Sequence, residues 1–297
     1  MSLGAPAPGG RGRRDLHVET SEHADHAAPA VVLVHGVLDS GRSFSRLRRV
    51  LAGRHPTVAY DRRGYQRSRV AGAACGLLAD HVDDLLWILE EHAPAIAAHA
   101  SPCGARRAVV LGHSYGGVVA LTAASRRPDL VGAVVAYEPP LSWLPFWSAP
   151  AGAGAPVPPA PETGEAPAAF AERFTRSMLG DERYARLAPA TRAGIALDGA
   201  AAAGEIAELP TAAAFDASAI DVTVVAARGS DAAVRHVLGA EWLAGAVRGA
   251  TLAVVAGAGH GAHITHPNEL AVLVEEACRE VARHDRLGRG RGADGRP

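Results

Sequence analysis

The run of residues 109–121, VVLGHSYGGVVAL, is apolar at both ends and carries a small polar knot in its middle. Ser114 sits there between Gly112 and Gly116, in the pattern G-x-S-x-G. A serine hydroxyl is a weak nucleophile at neutral pH. To attack a carbonyl it must be held out toward substrate, next to a base and next to donors for the developing oxyanion. The apolar residues before it read as a strand and those after it as a helix. The two glycines permit a tight turn with a strained residue at its centre. Ser114 would then stand above the sheet at a helix N-terminus, which favours negative charge and offers the Tyr115 backbone N–H to an oxyanion. The plain alternative is a glycine-rich packing turn.

A nucleophilic serine needs a base. The chain has 14 histidines, and His260 is the one placed for the task. It follows an apolar run in VVAGAGHGAHITHP, inside a glycine-rich turn, where the end of a strand would face the serine turn. His263 and His266 lie close by, so metal binding has to be weighed. Their i, i+3, i+6 spacing would need a helix, the glycines oppose one, and no carboxylate is near in sequence. The expectation is therefore no metal and no cofactor.

These groups need a frame. Residues 30–36 (AVVLVHG), 56–64 (PTVAYDRRG), 131–138 (VGAVVAYE), 222–228 (VTVVAAR) and 250–260 (ATLAVVAGAGH) read as strands or strand ends. Helical spacing appears in residues 77–92, 115–127, 232–247 and 268–284. Apolar strands alternating with helices imply a mostly parallel sheet with helices on both faces. Working groups then belong on loops at the C-terminal ends of the strands. Residues 141–216 break this rhythm. They open on a Pro/Ala/Gly-rich stretch and continue in helical patterns, yet hold seven of the 14 aromatic residues. This suits a helical cap over an apolar pocket, with Trp143, Phe146 and Trp147 lining it. A helical subdomain packed only for stability is the alternative.

Bulk composition narrows the function. The chain has 297 residues, net charge −1 and 21% charged residues, so no global charge signal points to nucleic acid or an anionic membrane. All 30 basic residues are arginine. Cys75, Cys103 and Cys278 are too few and too scattered for a disulfide framework or a cysteine metal site, which suggests free thiols in a reducing cytoplasm. No leader-like or membrane-spanning apolar stretch is visible. Residues 1–14 and 286–297 read as disordered tails. The core is expected over 15–140 and 217–285, with the cap at 141–216.

With the motifs in place, the chain resembles the α/β-hydrolase fold family. GHSYGG (112–117), LVHG (33–36), YDRRGYQRS (60–68) and GAGHGAH (257–263) occur in that family's order, and the resemblance runs from about residue 15 to 284. It implies that the Val37 backbone N–H is the second oxyanion donor. It also implies a carboxylate behind His260, and two candidates stand. Asp231 follows the strand where the family usually carries its acid, though Gly229 precedes it by only two residues. Glu138 closes the strand after the nucleophile helix, a position some family members use. Asp231 could instead cap a helix, and Glu138 could bond cap backbone.

Family members that act as haloalkane dehalogenases or epoxide hydrolases carry aspartate at the turn. Serine there implies an acyl-enzyme. The expectation is a serine hydrolase cleaving an ester, thioester or lactone of a small to medium apolar acyl substrate. A C–C bond hydrolase or cofactor-free perhydrolase is the alternative on the same fold. A non-catalytic small-molecule binding protein is the alternative of another class. The sequence is silent on oligomeric state.

Overall fold

A computed structural model describes residues 15–21, 28–69, 76–97, 107–147 and 160–293, with side chains for all of these except 94–97 and 286–293. Seven strands form one sheet: β1 Val18–Ser21, β2 Val31–Val34, β3 Thr57–Tyr60, β4 Ala108–His113, β5 Val131–Tyr137, β6 Thr223–Gly229 and β7 Thr251–Val255. Their order is β1-β3-β2-β4-β5-β6-β7. Only β1 runs antiparallel to its neighbour; every other pair is parallel. The helices are α1 Ser45–Leu51, α2 Leu78–Ala97, α3 Tyr115–Arg126, α4 Pro167–Leu179, α5 Asp181–Ala185, α6 Pro189–Leu197, α7 Gly199–Ala207, α8 Val234–Ala246, α9 Ala262–Thr265 and α10 Pro267–Ala293.

Successive strand side chains alternate between the two faces. Along β4, Ala108 and Val110 pack with Val82, Leu85 and Val119 on one face. Val109 and Leu111 pack with Leu47, Leu51 and Val274 on the other. Both faces are thus covered by helices, which is why the central strands are apolar throughout rather than alternating. The sheet order places β4 at the centre, so its C-terminal end opens onto the middle of one sheet edge. Every candidate chemical group sits at that edge or on a loop leaving it.

Between β5 and β6 the chain leaves the sheet and forms α4 to α7. Phe170, Phe174, Ala202 and Ile206 form a separate apolar cluster there, packed on Val37 and Leu38.

Two departures from the sequence reading have simple causes. β1 and α1 were not foreseen, because β1 is a four-residue edge strand without clear alternation and α1 is two turns of mostly arginine and leucine. The helix at the chain's end runs to Ala293, through the first eight residues of the stretch read as a disordered tail. Elongating an established helix gains a hydrogen bond per residue, and no proline occurs between Pro267 and Pro297. Residues 1–14, 148–159 and 294–297, with Cys75 and Cys103, lie outside the described residues. Cys278 is a buried free thiol. No helix among the described residues is long and apolar enough to cross a membrane.

Candidate active site

β4 ends at His113, and α3 begins at Tyr115. Ser114 alone makes the turn between them, with φ 52° and ψ −125°. This is a strained conformation for a residue with a side chain. The crossing is possible only because the chain is bare on both sides. A Cβ on Gly116 would lie 2.2 Å from the Val34 carbonyl oxygen, and one on Gly112 would lie 2.4 Å from the Gly116 carbonyl oxygen.

His260 lies in the turn after β7. Its Nδ1 is 2.7 Å from Glu138 Oε2. Glu138 immediately follows β5, is fully buried, and also has positive φ, at 49°. Its second oxygen accepts the Gly229 N–H at 2.9 Å. Burial alone would raise this carboxyl, but the hydrogen bonds from His260 and Gly229 outweigh it and the net direction is down. A carboxylate acceptor fixes the His260 proton on Nδ1 and leaves Nε2 bare. Burial pushes the His260 imidazole down, and Glu138 opposes this only in part. A neutral ring with a free Nε2 is the form a general base needs.

The loop after β2 carries the third part. His35 is buried and uses both ring nitrogens, Nδ1 donating to the Gly36 carbonyl at 2.8 Å and Nε2 accepting the Arg62 N–H at 2.8 Å. Arg62 also donates to the His35 carbonyl at 2.8 Å and to the Gly36 carbonyl at 2.9 Å. In a trans peptide the next N–H points opposite its carbonyl. Tying down the Gly36 carbonyl therefore aims the Val37 N–H away from Arg62. Arg62 is itself buried between the rings of Tyr65 and Tyr115, and it forms a two-pronged ion pair with Glu205 of α7 at 2.6 and 3.0 Å.

Residues 31–273 match the profile of the Alpha/beta hydrolase family. The chain belongs to that family. Among curated relatives of this alpha/beta hydrolase, Lipase LipV of Mycobacterium tuberculosis is 34% identical over 125 residues, which is 42% of each chain. Epoxide hydrolase B of the same organism is 34% identical over 136 residues, 44% of this chain and 34% of that protein. The chain thus matches less than half the length of these relatives. Among solved structures, the enol-lactonase from Burkholderia xenovorans LB400 superposes with a TM-score of 0.64 at 20% identity, covering 88% of this chain and 95% of that one. This last likeness is one of fold.

In this alpha/beta hydrolase the structure brings Glu138, not Asp231, to His260. Asp231 is exposed, and its side chain accepts from the Ser230 hydroxyl. Tyr115 and Val37 are both at the serine turn's edge, one beginning α3 and one following the Arg62-anchored carbonyl. The three aromatics after β5 separate. Trp147 packs edge-on against His236, which stacks on His260 at 4.9 Å. Trp143 instead meets Phe215 and lines an open depression of about 620 Å³ with Leu144, Ala213 and Trp242. None of Ser114, Glu138 or His260 borders that depression. Phe146 is half-buried. Among the described residues no hydrogen bond joins Ser114 Oγ to His260.

Sequence reasoning missed four positioning residues. His113 holds the His260 carbonyl through Nε2 at 2.8 Å, and Tyr137 donates to the Gly259 carbonyl at 2.8 Å. His236 is buried against the base, and burial holds its imidazole well below the ordinary range. Arg62 orients the loop that carries Val37. Of the four, His113 and Arg62 lie inside the motifs that carry the family resemblance.

Proposed function

We propose that the chain is a serine hydrolase that opens an ester-type bond (ester, thioester or lactone) through an acyl-enzyme. The observation that carries this reading is the strained Ser114 at the β4–α3 junction, flanked by a His260–Glu138 pair in the tautomer that leaves Nε2 bare. Ser114 Oγ attacks the substrate carbonyl and passes its proton to His260 Nε2. The carbonyl oxygen becomes an oxyanion, held by the N–H groups of Tyr115 and Val37. His260 then protonates the leaving group. Water, deprotonated by the same ring, releases the acid and restores Ser114. The contact between Ser114 and His260 closes as substrate binds, since such bonds are commonly long in free enzymes.

Serine, not aspartate, at the turn disfavours the chemistry named for the epoxide hydrolase relative and suits the lipase and lactonase similarity. In this reading α4 to α7 form a cap. Their apolar cluster packs on Val37 and Leu38 beside the oxyanion donor, which favours an apolar acyl group of modest size. Trp147, next to His236, is the aromatic of the three best placed to meet it.

The test is labelling by a fluorophosphonate probe together with turnover of a p-nitrophenyl ester series. Wild type labels and turns over; Ser114→Ala does neither while keeping its circular dichroism. Labelling of Ser114→Ala at the wild-type rate overturns the assignment.

A further inference from the structure

Three side chains from three separate segments, the loop after β2, the end of β4 and α9, meet beside Ser114. Asp39 lies two residues past Val37, His113 immediately precedes Ser114, and His263 lies three residues past His260. His263 Nε2 is 3.1 Å from Asp39 Oδ2, and His113 Nδ1 is 3.7 Å from the same oxygen. All three atoms fall within 4.8 Å of one another. The two imidazoles lie 4.0 Å apart at their centroids. A Cβ on Gly36 would be 3.1 Å from His113 Nδ1 and 3.0 Å from Ser114 Cβ, which puts the cluster against the nucleophile.

The protonation pattern in this cluster is unusual. His113 Nε2 faces the His260 carbonyl at 2.8 Å. A carbonyl only accepts, so the proton sits on Nε2, and in the neutral ring Nδ1 is a bare lone pair. That lone pair faces Asp39 Oδ2, another acceptor. Asp39 Oδ1 is occupied by the Ser40 N–H at 2.8 Å. Asp39 Oδ2, His113 Nδ1 and His263 Nε2 are all buried, and none has a hydrogen-bond partner of acceptable geometry among the described residues. A neutral His263 can turn an Nε2 proton toward Asp39 Oδ2, but the His113 Nδ1 lone pair still faces that carboxylate, and a cation between the two satisfies both.

The geometry points to a site for one divalent transition-metal ion of the zinc class, held by Asp39 Oδ2, His113 Nδ1 and His263 Nε2. Two imidazoles and a carboxylate are an ordinary donor set for such an ion. With metal–ligand bonds of about 2.0–2.1 Å in a tetrahedron, neighbouring donor atoms stand about 3.3 Å apart. The separations of 3.1 and 3.7 Å straddle that value. The bond from His113 Nε2–H to a backbone carbonyl is the outer contact that fixes a metal-binding histidine in its ligating tautomer. Glu138, His236 and His260 also cluster. There both Glu138 oxygens already accept hydrogen bonds, from Gly229 and His260, so that set lacks a free carboxylate oxygen. The ion's effect here is mechanical. It ties together the loops that carry Val37, Ser114 and His260.

The test uses the full chain without a histidine tag, stripped with chelator, dialysed and titrated with Zn²⁺ or Co²⁺. The expected result is one equivalent of zinc by elemental analysis and a visible Co²⁺ absorption typical of four-coordination. The melting temperature should rise by roughly 4 °C at a hundredfold excess of free Zn²⁺ over its dissociation constant. Asp39→Asn and His263→Gln lose all three signals, whereas His236→Gln retains them. Should the variants fail to fold, histidine ¹⁵N NMR of wild type decides: one ring must bind zinc through Nδ1 and another through Nε2. No stoichiometric binding to wild type overturns the proposal, as does binding lost in His236→Gln but kept in His263→Gln. None of these readouts uses turnover, so their failure leaves the reading of Ser114 standing, and failure of probe labelling leaves the metal site standing.

Discussion

Replacing Glu138 by glutamine tests the acid behind His260 with almost no change of shape. The wild-type carboxylate serves two donors, the Gly229 N–H at 2.9 Å and His260 Nδ1–H at 2.7 Å. Glutamine offers one acceptor oxygen and one NH₂. If the oxygen stays on Gly229, the NH₂ faces His260 Nδ1 and the ring must take its other tautomer, with the proton on Nε2. That nitrogen can then no longer accept the Ser114 proton. If the amide flips instead, the buried Gly229 N–H faces another donor, at a cost of about 1–3 kcal/mol. The first arrangement is therefore favoured. A wrong-tautomer histidine lowers kcat by about 10⁴ in a serine triad, equivalent to about 5.4 kcal/mol on the barrier. KM should change little, because Glu138 is fully buried. The assay is steady-state hydrolysis of p-nitrophenyl butyrate by Glu138→Gln and Asp231→Asn, with circular dichroism as a fold control. Asp231→Asn should stay within about twofold of wild type, as expected for an exposed carboxylate bonded to Ser230 and not to the base. Retention of more than a tenth of kcat by Glu138→Gln, or a greater loss in Asp231→Asn, refutes the assignment.

Three further outcomes follow from buried contacts. Glu205→Leu strands the Arg62 guanidinium, which is fully buried; losing one partner of such a pair costs about 3–5 kcal/mol, so thermal melting should fall by roughly 5–10 °C. Gly116→Ala forces a Cβ to within 2.2 Å of the Val34 carbonyl oxygen, so it should lower stability by about 3 kcal/mol and abolish probe labelling. Burial, then the Arg62 charge, lowers the His35 imidazole from its usual 6.5 to about 4. Between those values the unfolded chain binds a proton that the native chain does not. The stabilisation is complete above pH 6.5 and drains away as pH falls toward 4, by on the order of 3 kcal/mol. Urea unfolding at pH 7, 5.5 and 4.5 should show the loss, and His35→Gln should lessen it, leaving the part that His236 and His260 contribute in the same direction.

The fold was legible because its signals are local. A strand such as β4 announces itself by apolar residues with no polar interruption, and the serine turn by glycines that no other residue could replace. Ser114, His260 and the Val37 loop each sit within a few residues of such a signal. The choice between Glu138 and Asp231 was not local. It depends on Gly229 and His260, residues 91 and 122 positions from Glu138, arriving at its two oxygens. Likewise, Trp143 and Trp147 are four residues apart and look equivalent in sequence. The turn at Pro145–Trp147 sends one toward Phe215 and the other toward His236. The approach of Asp39 to His263 is not local either. Asp39 comes from the far end of the chain.

The Arg62 contacts connect these observations. One guanidinium holds the His35 and Gly36 carbonyls on one side and Glu205 of α7 on the other. Tyr65 donates to the same Glu205 carboxylate at 2.8 Å, and His81 lies 2.8 Å from it. Three hydrogen bonds, two from Arg62 and one from Tyr65, thus hold that carboxylate, and α7 cannot move without disturbing Arg62. In the proposed mechanism the Val37 N–H must point at the oxyanion to within a hydrogen bond's tolerance, and its direction is fixed by the carbonyl that Arg62 grips. Placement of α7 and direction of the Val37 N–H thus depend on a single buried ion pair. Such pairs contribute little net stability compared with apolar residues of similar volume. In the proposed mechanism, exact direction at the Val37 amide is a stronger physical reason to keep one here than its contribution to folding.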